Sequence, residues 1–580
     1  MDGIKVTCQC GRILTAPASH AGQKGKCPAC GAHFIIPLHD QTAPAPPLEP
    51  PHSQPETAAP APVSRKPFPA KAVAISGGAL ALVAAIAIAA ILLFSGDGQH
   101  EQPGTADPGP VVAQTSQPQG EQPKTTGEQP KPPGEQPASG PPKLNITETS
   151  LGKIVEGIIP LRMDVSPDLK RVAYAVKQGK KCLVVVDGVK SKEYDDIVVG
   201  TPIFSRNSRR VAYVAKRGEK WFAVVDGVEG KEYDNVVDWS LKFSPDSRRF
   251  AYVAKRGEKW FAVVDGVEGQ EYDTVVDFSL EFSPDSRLVA YAAKRGEKYV
   301  AIIDGVEGKE YDYINRGIGS SVFSPDSKRV AYAVKQGEKW LVVVDGVEGK
   351  EYDGIGKATP IFSPDSKRVA YSAQRGEKWF AVVDGIEGKE YDNVGDWLFP
   401  LEFSPDSGRF AYAAKRGEKY VAIVDGVEGK EYDVVTDIVF SPDSKRVAYL
   451  ARRPHSSNEF VVVDGVEGKE YDRIDWPHFS PDSKRVAYDA ERGEKGFVVV
   501  DGVEGKEYDG TDGLVFSPDS KRIAHYAQRG KKEFVIVDGA EGRECDGFYQ
   551  CCPTFDSPNR LYVLMGRGGE IFLVEIEICQ

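Results

Sequence analysis

Four cysteines near the N-terminus, Cys8, Cys10, Cys27 and Cys30, stand in a C-x-C-x16-C-x2-C arrangement within "VTCQCGRILTAPASHAGQKGKCPACGAHFIIP". Two close pairs of thiolates, followed by Gly11 and Gly31, suit two turns whose sulfurs converge tetrahedrally on Zn²⁺. The protein fills all four positions, so no coordination site is left for water, and the metal is structural rather than catalytic. A region of under 40 residues also needs such a metal to fold. His20 and His33 lie nearby and read as solvated loop residues rather than substitute ligands.

No comparable constellation follows. The C-terminal region has three histidines, His455, His478 and His525, at unrelated positions of a repeat. It lacks G-x-S-x-G and the calcium pattern D-x-D-x-D-G. "SPDSGRFAY" from Ser404 partly matches the S-x-D-x-G box of sialidases, which is itself a structural motif. Recurrent basic tips are the charged feature that stands out: Lys216, Arg217 and Lys220; Lys255, Arg256 and Lys259; Lys294, Arg295 and Lys298. They are a candidate rim for an anionic partner, a protein or a polysaccharide, against the alternative of solvated hairpin tips that keep the chain soluble. Trp221, Trp260, Trp340 and Trp379 begin strands of core character and read as packing between units. The net charge of −12 gives no sign of nucleic-acid binding.

These residues are carried by a repeat. "FSPDSKRVAY" occurs unchanged from Phe323, Phe362, Phe440 and Phe479, and aligned starts at 165, 204, 243, 282, 323, 362, 403, 440, 479, 516 and 555 define eleven units. In the unit 323–361, a strand ends at "VFS", "SPDS" turns, "KRVAYAVK" alternates as a second strand and "QGEK" makes a hairpin. "WLVVVDG" is a buried third strand, and "KEYDGI" is a polar outer strand. Asp345, Asp384 and Asp425 recur beside Gly as turn-formers. Four antiparallel strands per 39 residues, with no helical pattern between, describe the blades of an all-β propeller over 146–580. "LGKIVEGI" from Leu151 is an orphan strand placed to complete the last, three-stranded unit. Eleven blades exceed the usual range, so two tandem propellers are expected, with one oversized ring as the alternative. The "RGEK" tips share one face, opposite "SPDS" and "DGVEG". An enzyme would need a non-repeating cluster on the innermost strands, where Glu281, Glu402 and His478 occupy equivalent positions. Among the remaining cysteines, Cys182 fills a Trp slot and Cys545 is placed to pair with Cys551 or Cys552. Cys579 is one residue from the end.

Ahead of the repeats the composition changes abruptly. Residues 38–70 and 96–145 are Pro-rich and read as disordered linkers. Between them, in 71–95, "AVAISGGALALVAAIAIAAILLF" is uncharged and long enough to span a bilayer. Arg65, Lys66 and Lys71 precede it and Asp97, Glu101 and Asp107 follow, which places the N-terminus in the cytoplasm and the repeats outside. The cytoplasmic placement argues against disulfides among the first four cysteines.

The segment 1–37 resembles the zinc ribbons that open many membrane-anchored proteins of planctomycete-type bacteria, which implies a structural metal and an interaction module. "FSPDSKRVAYxxxRGEKWxxVVDG" resembles the WD40-like repeat of TolB-type propellers, with Ser in most units where that family has Gly. No TolB-type N-terminal α/β domain is present, so a role in envelope translocation does not transfer. The expectation is a single-pass protein of a bacterial inner membrane, with a non-enzymatic propeller scaffold that binds a protein or glycan. The alternative is a hydrolase or lyase acting on glycans from the central channel.

Overall fold

The computed structural model describes residues 141–153, 158–315, 323–357, 359–395, 401–454 and 456–579, and four short strands near the N-terminus. Those four form two hairpins: Gly3–Thr7 pairs Ile13–Pro17, and Lys24–Lys26 pairs His33–Ile35. Cys8, Cys10, Cys27 and Cys30, the apolar stretch 72–94 and both Pro-rich segments lie outside the described residues. Among the described residues no helix is long and apolar enough to cross a membrane.

From Lys143 onward the chain forms eleven antiparallel sheets in succession, the blades of a propeller. Blade 2 shows the plan. A broken inner strand, Asp196–Ile197 and Ile203–Phe204, pairs with Val211–Arg217. That strand pairs with Lys220–Val225, which carries the outer Val228–Glu229. The third strand is apolar and β-branched and is buried in its middle, as a strand packed on both faces must be. The outer strand runs on to Tyr233, which bridges to Trp221, and Asp234 already bonds the next blade through Lys255. The phrase "KEYD" is therefore shared between two blades, and the residues expected to end an outer strand begin the next inner one.

The repeated phrase stitches neighbours together. In blade 5, Ser324 Oγ donates to Asp326 Oδ1 (2.7 Å) and accepts from Arg329 N–H (3.0 Å), which closes the turn. The Asp326 N–H then donates to Ser366 Oγ of blade 6 (2.9 Å). Ser366 is left-handed, with φ of 65°, a conformation a glycine adopts more cheaply. A glycine at this position would lack the hydroxyl that makes this bond between blades. Arg329 holds Asp345 through Nε (2.9 Å), donates to the carbonyls of Ser366 and Lys367, and covers the Phe362 ring of blade 6. Asp345 turns the chain at φ of 53° and also accepts from Val330 N–H, so the turn-forming aspartates position this arginine.

The same seryl bond recurs at nine successive junctions, from Asp168–Ser208 to Asp482–Ser520, without a break. Blade 10 packs Tyr526 and Val535 against Leu561 and Met565 of blade 11. Blade 11 packs Leu564 and Ile571 against Val172 and Tyr174 of blade 1. The chain is thus one closed ring of eleven blades, which corrects the expectation of two tandem propellers. Identical junctions impose no stopping point, and closure depends on contacts between residues almost 400 positions apart, which no local pattern reveals. The closing strand is Lys143–Lys153, paired along its length with Glu570–Cys579. It begins eight residues before the stretch expected to close the ring, and Glu148 anchors it to Arg567 and Arg543.

Candidate binding site on the inner strands

The nine cations expected to form an anionic-partner rim are committed within the ring. Arg217 contacts Glu229 (2.8 Å), Lys220 contacts Asp234 (2.5 Å), Arg256 contacts Glu268 (2.6 Å) and Lys259 contacts Asp273 (2.6 Å). Arg295 pairs with Glu307, and Lys298 with Asp312. Each carboxylate also takes a bond from a second blade. Glu268 accepts from Tyr233 Oη and Lys231 of blade 2, and Asp234 accepts from the Gly257 N–H of blade 3. The Arg256 guanidinium beside Glu268 holds that carboxyl below its ordinary range. Lys216, Lys255 and Lys294 lie over Trp221, Trp260 and Tyr299, at 5.0–5.5 Å from the ring centroids.

What differs between blades is the inner strand. Among the described residues several inner strands are interrupted or bulged midway, and the irregularity contains a left-handed residue in some: Gly200 in blade 2 and Gly513 in blade 10, where glycine is at ease. In blade 4 the position is Phe278, with φ of 59°, and in blade 8 Asp437, with φ of 53°. A bulky side chain in this conformation costs on the order of 1–3 kcal/mol, and such strain concentrates where a side chain must be aimed. Phe278 is 57% exposed and stacks on Trp239 of blade 3, with ring centroids 4.4 Å apart. Trp239 itself sits on a single 3₁₀ turn, Asp238–Ser240, that also breaks the repeat. Beside it opens a cleft of about 420 Å³ lined by Trp221, Trp239, Trp260, Asn235, Asp238 and Asp277. Trp221 and Trp260 pack between blades, as expected of the Trp set, and also wall this cleft. Aromatic walls with amide and carboxylate groups at the edge suit a ligand with one apolar and one hydroxylated aspect.

A second departure lies across the ring. The middle residue of the second strand is apolar in most blades, Val214 and Val253 for example, but is Ser372, Asp489 and Tyr526 in blades 6, 9 and 10. Ser372 Oγ, Asp489 Oδ1 and Tyr526 Oη are buried and lack a hydrogen-bond partner among the described residues. Burial, together with the charges of Asp475 and Asp512, pushes the Asp489 carboxyl up to about 7. Burial also raises Asp437 and Asp512, with Asp475 adding to both, while Arg473 bonds Asp475 (2.9 Å). The sequence shows the signal as an Asp in "VAYDAER" where most other units carry an apolar residue.

Glu281, Glu402 and His478 fall at the ends of inner strands, as expected from their shared position. They belong to blades 4, 7 and 9, so the ring distributes them rather than grouping them. Glu402 and His478 keep surface open to water, although protein crowds closely around both. That crowding raises the Glu402 carboxyl and lowers the His478 imidazole. Glu281 meets Lys242 of blade 3, whose burial draws its pKa down against the pull of that carboxylate. His525 is buried against Tyr508 and the Tyr526 carbonyl, and burial lowers it to about 4. His455 lies outside the described residues. No group of three or more His, Cys, Asp or Glu suited to a metal occurs among the described residues. Cys182 is buried, as its Trp slot implied, and Cys545 is buried with its thiol donating to the Glu533 carbonyl (3.3 Å).

No protein-family model and no curated protein matches the chain. Solved structures resemble the chain at low identity. A crystal structure of a eukaryotic initiation factor is 12% identical over 59% of this chain and 98% of its own, with a TM-score of 0.34. TolB from Acinetobacter baumannii is 17% identical over 46% of this chain and 79% of its own, with a TM-score of 0.21. The propeller domain of the Trilobed protease from Pyrococcus furiosus is 13% identical over 45% of this chain and 92% of its own, with a TM-score of 0.23.

Proposed function

We propose that the chain is a non-enzymatic propeller scaffold, tethered to the bacterial inner membrane by the 72–94 segment, that binds a glycan or glycan-bearing protein outside the cytoplasm. The observation that carries this reading is Phe278: a strained, exposed aromatic stacked on Trp239 beside a cleft with three tryptophans. Pyranose rings offer C–H faces to such platforms, and their hydroxyls suit Asn235, Asp238 and Asp277. The rim cations are set aside as the recognition element because carboxylates and aromatic faces within the ring already engage them. Cys8, Cys10, Cys27 and Cys30 hold a structural Zn²⁺ in the cytoplasmic module. In chain order each pair falls between the two strands of one hairpin, which suits a two-turn ribbon. Nucleic acid is not the expected partner.

The test is a glycan array probed with the full chain in detergent. Phe278→Ala and Trp239→Ala should abolish the signals that Trp340→Ala retains. Signals that survive Phe278→Ala would remove the cleft from the account. One observation favours a second reading, a glycan hydrolase or lyase in the channel. Asp489, whose carboxyl burial pushes up to about 7 and so leaves partly protonated at neutral pH, stands close to Asp475, which Arg473 bonds, and two carboxyls in unlike surroundings can divide acid from base roles. Release of new reducing ends from a bound glycan, lost in Asp489→Asn, would establish that reading instead.

A further inference from the structure

Cys551 and Cys552 lie on the inner side of blade 11, between Gly547–Phe548 and Thr554–Ser557. Their sulfurs approach to 3.5 Å, and Cys551 is exposed while Cys552 is half-buried. The surroundings fix this pair in place. Gln550 donates to the Cys552 carbonyl (2.5 Å) and accepts from Leu564 N–H (3.0 Å), which clamps the loop to the second strand of its own blade. From blade 10, Gly513 comes so close that a Cβ there would lie 2.6 Å from the Cys551 carbonyl oxygen and 3.1 Å from Cys552 Cα. Glycine at 513 lets the backbone that carries the two cysteines pack this close. Phe548 stacks on Tyr526 at 3.8 Å, and the buried Tyr526 hydroxyl lies near both sulfurs. Two adjacent thiols serve neither the sheet ladder nor the core, and the repeat places no such pair in any other blade.

We propose that Cys551 and Cys552 form a redox-active dithiol in the channel wall that closes to a vicinal disulfide by exchange with a disulfide-bearing partner. Cys551 is the exposed nucleophile. A bond from the Cys552 thiol holds its pKa down, at about 7, so much of it is thiolate at neutral pH. Its sulfur attacks one sulfur of the partner disulfide, forms a mixed disulfide and releases the partner's other sulfur as a thiolate. That thiolate takes the Cys552 proton, and the Cys552 sulfur then displaces the remaining partner sulfur from Cys551. Two protein thiols become one disulfide, and the partner disulfide becomes two thiols. The new ring contains a peptide bond and is small, so it reopens readily under reductant, as a reversible device requires.

The test exposes the full chain in detergent to oxidised glutathione, alkylates free thiols, and weighs the peptide carrying residues 551 and 552. The expected product is lighter by two hydrogens, unlabelled at both sulfurs and fully relabelled after dithiothreitol. Cys552→Ser should stop at a stable glutathione adduct on Cys551, and Cys551→Ser should remain unmodified at Cys552. Gly513→Ala, which crowds the pair without touching a sulfur, should slow closure several-fold. Two alkyl labels after full exposure to the oxidant, a stable adduct on the wild-type chain, or a disulfide joining Cys545 or Cys579 would each overturn the proposal.

Discussion

The outer three strands of each blade and its inner strand obey different rules. Outside, Ser, Asp, Arg, Glu and Tyr recur at fixed offsets because each bonds a partner in the adjacent blade, and a change in one unit would break two. Inside, the six to ten residues between "EYD" and the next "F" bond mainly their own second strand, so they are free to differ. The blades are alike where they touch one another and unlike where they face the channel. Function is therefore sought in the second set.

Removing residues 143–153 tests the first set most severely. It strips the partner strand from Glu570–Cys579 and leaves a long unpaired edge beside a core containing Ile576 and Val574. The expected result is loss of the closed ring and association through that edge, read by size-exclusion chromatography with light scattering. A truncated chain that elutes as a monomer and melts as cooperatively as the parent would show that closure matters little.

Asp489→Asn probes the boundary between the two sets. The native carboxyl titrates near 7, well above its unfolded value, so the folded state binds the proton more tightly. Stability from this group is present at and below about pH 4 and declines as pH rises toward 7, by roughly 2–4 kcal/mol in total. The variant should lose that decline and melt higher than the parent at pH 8, with little advantage at pH 4. Equal melting temperatures at pH 8 would show that Asp489 is solvated.

Arg329→Ala removes an ion pair, two carbonyl bonds and a ring contact at one junction. Loss of about 2–3 kcal/mol is expected by chemical denaturation, with glycan signals unchanged at saturation. A fall in ligand binding without a fall in stability would mean the outer network reaches the channel. The smallest effects belong to Ser366. Ser366→Gly trades a hydrogen bond for an easier backbone and should stay within about 1 kcal/mol of the parent. Ser366→Ala loses the bond, keeps the strain and should cost about 1–2 kcal/mol. If the glycine variant were the worse of the two, the strain argument at this position would fail.

Much of this was legible in the sequence. The 39-residue spacing, the hairpin glycines and the apolar third strand define the blades because each is a local requirement of strand and turn. The ring count was not, since nine equivalent junctions say nothing about where the chain meets itself. The two-blade role of "KEYD" was hidden too: Tyr233 still completes one sheet while Asp234 has already bonded the next, and both look like one strand. At the site, Phe278 and Asp437 gave no warning, because a left-handed bulge is recognisable only when glycine occupies it. Asp489 and Tyr526 could have been found by asking which unit carries a polar residue at an otherwise apolar position. Lys220 and Arg256 read as free charge because their carboxylate partners lie 12–14 residues away, or in the next blade.

The unchanged ten-residue phrase bears on inheritance as well as on architecture. Near-identical units in a coding sequence are substrates for unequal recombination, which adds or deletes whole repeats. A seryl junction that fits any neighbour lets the product still join end to end. Going from eleven blades to ten changes the rotation between neighbours only from about 33° to about 36°, a small adjustment shared by every interface. The lineage of this chain can thus alter the width of its channel in a single genetic event, while point substitutions on the inner strands decide what that width admits.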